Sequence, residues 1–329
     1  MKTNVIKINA KRPSLKKIKF ASNILKKGGV VIFPTETVYG IGANAFNAEA
    51  VRKIFEAKKR PFDNPLIVHV SSPNLVCEIA ETNFLAEKLI KKFWPGPLTI
   101  ILKKKSKIPS EVSAGLESVA IRMPKNNIAL ELIRECGFPI AAPSANISGR
   151  PSGTRVKDVV SDFDGAVECI IDGGNCEIGL ESSILDLTSD VPVLLRPGKI
   201  SLEELKKEIR EISVPNYVLD KIVVEKPKSP GVKYKHYSPE AKVILVEGEK
   251  EKRKLKINNL EKEFLKEGKK VGKIFSDDKE KMAKNLFKKF RDFDSKKVDI
   301  ILVEGVDETG IGLAIMNRLG KVAEEIVEA

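Results

Sequence analysis

Short apolar runs alternate with amphipathic stretches along most of this chain. That alternation constrains the fold more than any other feature, because it demands a sheet layered with helices. Val30-Val31-Ile32-Phe33 reads as a buried strand that Pro34 ends, and further strands are expected over 66–70, 98–102, 119–122, 140–142, 169–171, 184–187 and 193–195. Between them, Leu15, Ile18, Ala21, Ile24 and Leu25 recur at helical spacing after Ser14, and Gly28-Gly29 stops that helix. Asn47 is placed to cap a second helix through Ala50, Val51, Ile54 and Phe55.

The texture changes near residue 213. Residues 213–240 carry Pro215, Pro227, Pro230 and Pro239 without sustained periodicity, which reads as a linker long enough to have a function of its own. Beyond it, strands over 242–247, 270–275 and 298–304 alternate with three helical stretches, the pattern of a small Rossmann-like α/β domain. The 329 residues therefore divide into a larger domain over 1–212, a linker over 213–240 and a smaller domain over 241–329.

Apolar residues make up 42% of the chain and charged residues 31%, enough for real cores and a solvated surface. No apolar run approaches the roughly 20 residues of a membrane span, and Met1-Lys2-Thr3-Asn4-Val5 does not open a signal peptide. A cytoplasmic protein without membrane contact is expected. Cys77, Cys136, Cys169 and Cys176 show no C-x-x-C spacing, and only two histidines are present, which argues against structural zinc, iron–sulfur clusters or a disulfide scaffold. The net charge of +13 is uneven: residues 1–60 hold 14 Lys and Arg against 3 Asp and Glu, and the remainder holds 44 against 42. A basic N-terminal sixth suits an anionic partner such as a nucleotide or RNA. A merely Lys-rich surface, with the lysines on the polar sides of helices, explains it equally well.

Familiar motifs are weak or missing. Gly40-Ile41-Gly42-Ala43-Asn44-Ala45 matches G-x-G-x-x-A but begins past Pro34, and Gly310-Ile311-Gly312 lacks a third glycine position. No G-x-x-x-x-G-K-[ST] occurs, and neither His69 nor His236 lies near a G-x-S-x-G turn. Three other segments stand out. Phe33-Pro34-Thr35-Glu36-Thr37-Val38-Tyr39-Gly40 is a polar turn at the C-terminal end of a strand, where α/β sheets bind ligands. Lys58-Lys59-Arg60-Pro61-Phe62-Asp63-Asn64-Pro65 gathers three cations at a helix end and stiffens the following loop with prolines, although the helix dipole alone accounts for cations there. The run from Ala142-Pro143-Ser144-Ala145-Asn146 to Ser148-Gly149-Arg150-Pro151-Ser152-Gly153 offers hydroxyls and an amide to phosphate or sugar, as an ordinary surface loop also could.

In combination these segments are specific. PTETVYG, K-x-R-P-x-x-N-P-L-I-V-H, WPGPLT at 94–99, AIRMP at 120–124 and APSANISG occur here in the order of the YrdC-like family, which the chain resembles over nearly its whole length. The stretches SPGVKYKHYSP at 229–239 and GIGLAIMNR at 310–318 are similar to its two-domain branch, the L-threonylcarbamoyladenylate synthases. The resemblance implies a twisted mixed YrdC-like sheet with helices, plus a smaller C-terminal Rossmann-like α/β domain. It also implies a nucleotidyltransferase reaction. Threonine and bicarbonate or CO2 form a carbamate, the carbamate attacks the α-phosphate of ATP, and pyrophosphate leaves. A downstream threonylcarbamoyl transferase then modifies tRNA.

The resemblance also assigns residues. Lys58, Arg60, Ser144 and Asn146 would act on the phosphates; Asn64, Ser118, Ser152, Arg196 and Tyr234 would contact ATP; Thr37, His69, Arg122, Ala142 (through its backbone) and Ser182 would bind L-threonine. Arg122 suits the amino acid's carboxylate, a bidentate task for guanidinium. Lys58 and Arg60 are expected in a polar loop whose substitution leaves folding little changed. Residues 213–240 would fold as a lid over the site. No protein metal cluster is expected, and Mg2+ would enter with the ATP phosphates. On the residues alone, His69 shares a strand face with Ile67 and Ser71 and could be a satisfied core histidine, and Arg196 could be a turn residue. Direct tRNA contact stays open, as does a different class of function, a double-stranded RNA or ribosome-assembly binding module, which the charge alone would favour.

Overall fold

The computed structural model describes residues 2–219 and 237–329 of the 329. Two sheets organise them. The larger has ten strands in the order β1-β8-β2-β3-β7-β4-β6-β5-β9-β10 and is mixed. Its strands are β1 (Asn4–Lys7), β2 (Val31–Phe33), β3 (Gly40–Asn44), β4 (Ile67–His69), β5 (Leu98–Lys103), β6 (Ser118–Arg122), β7 (Ile140–Ala141), β8 (Cys169–Asp172), β9 (Ser183–Asp186) and β10 (Val193–Arg196). The smaller sheet is all parallel, in the order β12-β13-β11-β14, from β11 (Lys242–Glu247), β12 (Val271–Ile274), β13 (Ile300–Glu304) and β14 (Glu325–Glu328).

Alternation of side chains along each strand decides what each face buries. Leu66, Val68 and Val70 join the main core with Ile41, Ile100 and Ile121, under α2 (Ala48–Lys58) and α4 (Phe84–Phe93). On the opposite face, α1 (Leu15–Lys26) and α6 (Asn127–Cys136) cover Val31, Phe33 and Ile140. Further along that face, Ile67, Ile101, Ala120, Ile184 and Leu195 form a small separate cluster, and beside it the candidate site opens. Asn47 caps α2 by accepting from the Ala50 amide at 3.0 Å, and Gly28 ends α1 at φ +76°.

In the smaller unit, Val243 and Leu245 face α11 (Lys279–Ser295) and α12 (Gly312–Val322), while Ile244 and Val246 face α10 (Lys250–Lys266). Val38 and Leu180 of the larger unit belong to the core under α11 and α12, so the two units share a hydrophobic contact. Among the described residues no helix is long and apolar enough to cross a membrane.

Three strands were not anticipated. β1 and β14 are edge strands with mostly exposed side chains, so they carry little apolar signal. β3 hides under the G-x-G pattern. It pairs antiparallel with β2, and Gly42 is required because a Cβ there would lie 2.6 Å from Ile140 and 2.7 Å from Phe33. Gly42 thus serves close packing between strands, while Gly40 lines the cavity described below.

Candidate active site

Neighbouring strand ends converge on one cavity. His69 on β4 lies in register with Arg122 on β6 and with Ile140 on β7. The β7 strand runs on into Ala142, whose amide donates to the Ile67 carbonyl at 2.8 Å, and Ser144 bridges back to Gly40 at the start of β3. On the other side, Ser182 precedes β9 and Arg196 ends β10. The cavity and the solvent at its mouth together take up about 670 Å³ not occupied by atoms.

Lys58, Arg60, Ser144, Asn146, Arg196, Thr37, His69, Arg122, Ala142 and Ser182 all line it. Asn64, Ser118 and Ser152 do not. Asn64 is buried behind Arg60, which donates to the Asn64 carbonyl at 3.2 Å, and the Asn64 side-chain amide finds no hydrogen-bond partner among the described residues. Ser118 starts β6 opposite Lys103 on β5, away from the cavity. Ser152 is fully buried and donates to Glu181 Oε1 at 2.6 Å. Tyr234 lies outside the described residues, as does most of the linker.

The cationic end is built from the main chain outward. Lys58 is the last residue of α2 and is 1% exposed, so the expectation of a solvated loop residue is corrected. Its Nζ donates to the carbonyls of Ser144 and Asn146, each at 2.5 Å, tying α2 to the loop after β7. Burial first, then the neighbouring Arg60 charge, holds its pKa well below the ordinary lysine value. Ser144 donates to Asn146 Oδ1 at 2.7 Å, and Asn146 Nδ2 in turn donates to the carbonyls of Ile147 and Arg150. The loop is therefore held in one shape before any ligand enters.

At the other end, Thr35 Oγ1 accepts from the amides of Thr37 and Val38 and shares a 2.8 Å hydrogen bond with Thr37 Oγ1, a hydroxyl-stabilised turn. Arg122 Nη1 donates to Thr37 Oγ1 at 2.9 Å, and its Nη2 lies 2.7 Å from Glu36 Oε1 in an ion pair almost wholly removed from water. The guanidinium expected to meet a carboxylate thus already has one, from a neighbouring residue that the sequence reading passed over. Burial and the Arg122 charge push the His69 pKa down to about 3, so the ring is neutral. Ser182 Oγ shares a 2.7 Å hydrogen bond with Thr99 Oγ1 and accepts from Arg196 at 3.2 Å.

Among the described residues, the basic side chains of Lys58, Arg60, Arg122 and Arg196 line the cavity against one carboxylate, Glu181. Such a chamber suits a polyanion beside a small polar molecule. Tyr39, Ser148 and Tyr237, which lie in the motifs picked out from the sequence but were given no role there, also line it, as does Glu181, which no motif marked. Glu181 directly precedes Ser182, and only its environment distinguishes it from a surface glutamate.

The Sua5–YciO–YrdC family model, described as telomere recombination, matches residues 23–198, and one described as the C-terminal domain of threonylcarbamoyl-AMP synthase matches residues 200–324. The chain is 51% identical over 323 residues to a threonylcarbamoyl-AMP synthase of Pyrococcus abyssi, spanning 93% of this chain and 94% of that relative. It is 46% identical over 323 residues to the Bacillus subtilis protein of the same name, covering 92% of each. A crystal structure of P. abyssi Sua5 complexed with L-threonine superposes with a TM-score of 0.96 at 49% identity, covering 99% of this chain and 100% of that one.

Proposed function

The chain belongs to the Sua5–YciO–YrdC family, in the form that also carries the threonylcarbamoyl-AMP synthase C-terminal domain, and we propose that its cavity is where threonylcarbamoyl-AMP is made. The reaction joins L-threonine, bicarbonate or CO2, and ATP, and releases pyrophosphate, as a step in threonylcarbamoyladenosine modification of tRNA. The observation that carries the assignment to this site is the meeting of two residue groups in one chamber. Lys58, Arg60, Ser144 and Asn146 share its lining with Thr37, His69, Arg122 and Ser182.

The amine of threonine takes up bicarbonate with loss of water to give a carbamate. A carbamate oxygen then attacks the α-phosphorus, the bond from that phosphorus to the bridging oxygen breaks, and pyrophosphate leaves. Little covalent work falls to the protein, so catalysis rests on positioning and charge. Arg60 and Lys58 would stabilise the phosphates, with Ser144 and Asn146 facing them on a loop whose hydrogen bonds are already made. Arg122 would receive the threonine carboxylate. Because Thr37 and Glu36 already fix its guanidinium, little side-chain freedom would be lost on binding. His69, neutral and with Nδ1 donating to the Ile67 carbonyl at 3.2 Å, would offer Nε2 as an acceptor.

Among the described residues no group of His, Cys, Asp and Glu could hold a metal ion, and the oxygens of Glu181, the carboxylate in the cavity lining, are taken by Ser152 and Arg318. That donor set fits a Mg2+ carried by phosphate oxygens and water, which would screen the charge of the triphosphate. The product would pass to a threonylcarbamoyl transferase. The test is incubation of ATP and labelled bicarbonate with and without L-threonine. Pyrophosphate release and label incorporation should both require threonine, and threonine-independent release would overturn the reading.

A further inference from the structure

The cavity has a wall that the smaller unit supports. Arg318 on α12 is completely buried, and its Nε donates to Glu181 Oε2 at 3.2 Å. Its Nη1 donates to the Pro197 carbonyl at 2.8 Å and to Asn317 Oδ1 at 3.2 Å, and the guanidinium lies 5.7 Å from the centre of the Tyr237 ring. Tyr237 lines the cavity and stacks on Phe287 of α11, with ring centres 5.1 Å apart. Asn317 Nδ2 donates to the Val218 carbonyl at 3.0 Å, which pins the same turn of α12 to the start of the linker. One residue of the second unit thus reaches the only carboxylate in the described cavity lining, and reaches it without touching the cavity itself.

Charge explains why this matters. A carboxylate beside a triphosphate repels it, and Glu181 also faces Lys58, Arg196, Lys321 and Tyr237. If no other cation neutralised Glu181, it would draw on Lys58 and Arg196, the groups assigned to the phosphates. Arg318 supplies that cation from outside. Burial alone would raise the Glu181 pKa, but Arg318, Arg196 and the Ser152 hydroxyl together bring it below the ordinary carboxylate value.

We propose that Arg318 is a positioning residue of the active site: from the C-terminal unit it neutralises Glu181 and holds it on Ser152, so that the carboxylate neither repels the phosphates of ATP nor competes with them for Lys58 and Arg196. Docking of the second unit is then needed for tight ATP binding. The inference rests on the reading of the cavity as an ATP site.

The test uses the full chain. Arg318→Met should raise the KM for ATP at least tenfold at pH 8 and less at pH 6, where the Glu181 carboxyl, deprived of its closest cation, takes up a proton and stops repelling the phosphates. Adding Glu181→Gln to Arg318→Met should bring the KM for ATP back toward wild type at pH 8, a rescue that a purely structural contact would not give. Arg318→Lys should keep the KM for ATP within about threefold of wild type, since the charge stays. If Arg318→Met does not fold, Arg318→Gln, alone and with Glu181→Gln, makes the same comparison. An unchanged KM for ATP in the folded single variant, or a loss that Glu181→Gln does not relieve, overturns the proposal. Calorimetric ATP binding is measured in parallel. A wild-type chain that binds ATP yet releases no pyrophosphate with threonine overturns the reaction and not the role of Arg318.

Discussion

Lys58 joins chemistry and architecture in one ammonium group. Lys58→Ala should lower threonine-dependent pyrophosphate release by about 10²–10³, the scale of a single lost donor to developing charge. It should also destabilise the chain by about 1–3 kcal/mol, because the Ser144 and Asn146 carbonyls lose the Nζ they share. Thermal melts beside turnover separate the two effects, and an unchanged melting temperature would return Lys58 to the status of a solvated residue. His69 makes a second prediction. Its folded pKa of about 3 lies below the ordinary histidine value, so between about pH 3 and pH 6.5 the unfolded chain binds the extra proton. Stability should therefore rise with pH across that window and owe nothing further to His69 above it. Urea midpoints of His69→Gln across pH 4–7 should show a flatter slope than wild type. Substrate choice belongs here too. Thr37, His69 and Ser182 are polar groups in the cavity wall, and a hydroxyl-lacking analogue would leave such groups unpaired, so valine should support far less pyrophosphate release than threonine.

At the level of elements, the second unit grips the loop after β7 through one helix. Arg291 on α11 donates to the Pro151 carbonyl at 2.6 Å and pairs with Asp162 at 2.6 Å, in the helix α7 (Val156–Phe163). Arg155, just before α7, reaches both Asp158 and Asp292 of α11. Pro151 precedes Ser152, so α11 and α12 hold the same wall of the cavity from two directions. Arg291→Ala leaves Asp162, whose side chain is wholly removed from water, without this partner and should cost about 3–5 kcal/mol, measured by chemical denaturation. A loss below 1 kcal/mol would mean that Arg150, also on Asp162, suffices.

For the whole molecule, the two units share a core contact as well as charges. Truncation after Ile212 would uncover Val38 and Leu180 and remove the cation facing Glu181. The shortened chain should keep its sheet, judged by circular dichroism, but bind ATP at least tenfold more weakly by calorimetry. Equal affinity would show that the first unit forms the ATP site unaided.

The alternation of apolar residues along the strands, the α1 stop at Gly28 and the Asn47 cap were legible in the sequence because each is a local rule with local causes. The same holds for His69, whose face followed from period two alone, with Ile67 beside it in the cavity and Leu66, Val68 and Val70 in the core. The linear order of the polar motifs marked most of the residues that line the cavity, because strand ends and tight turns hold them there. Tertiary structure alone decided the rest. No local pattern marks Glu36 and Glu181 as buried, paired acids until Arg122 and Arg318 are seen against them, and Arg318 lies 137 positions from the carboxylate that it holds. The expected solvation of Lys58 failed for the same reason. Burial and ion pairing depend on which distant segments close over a side chain, and no spacing within the chain encodes that.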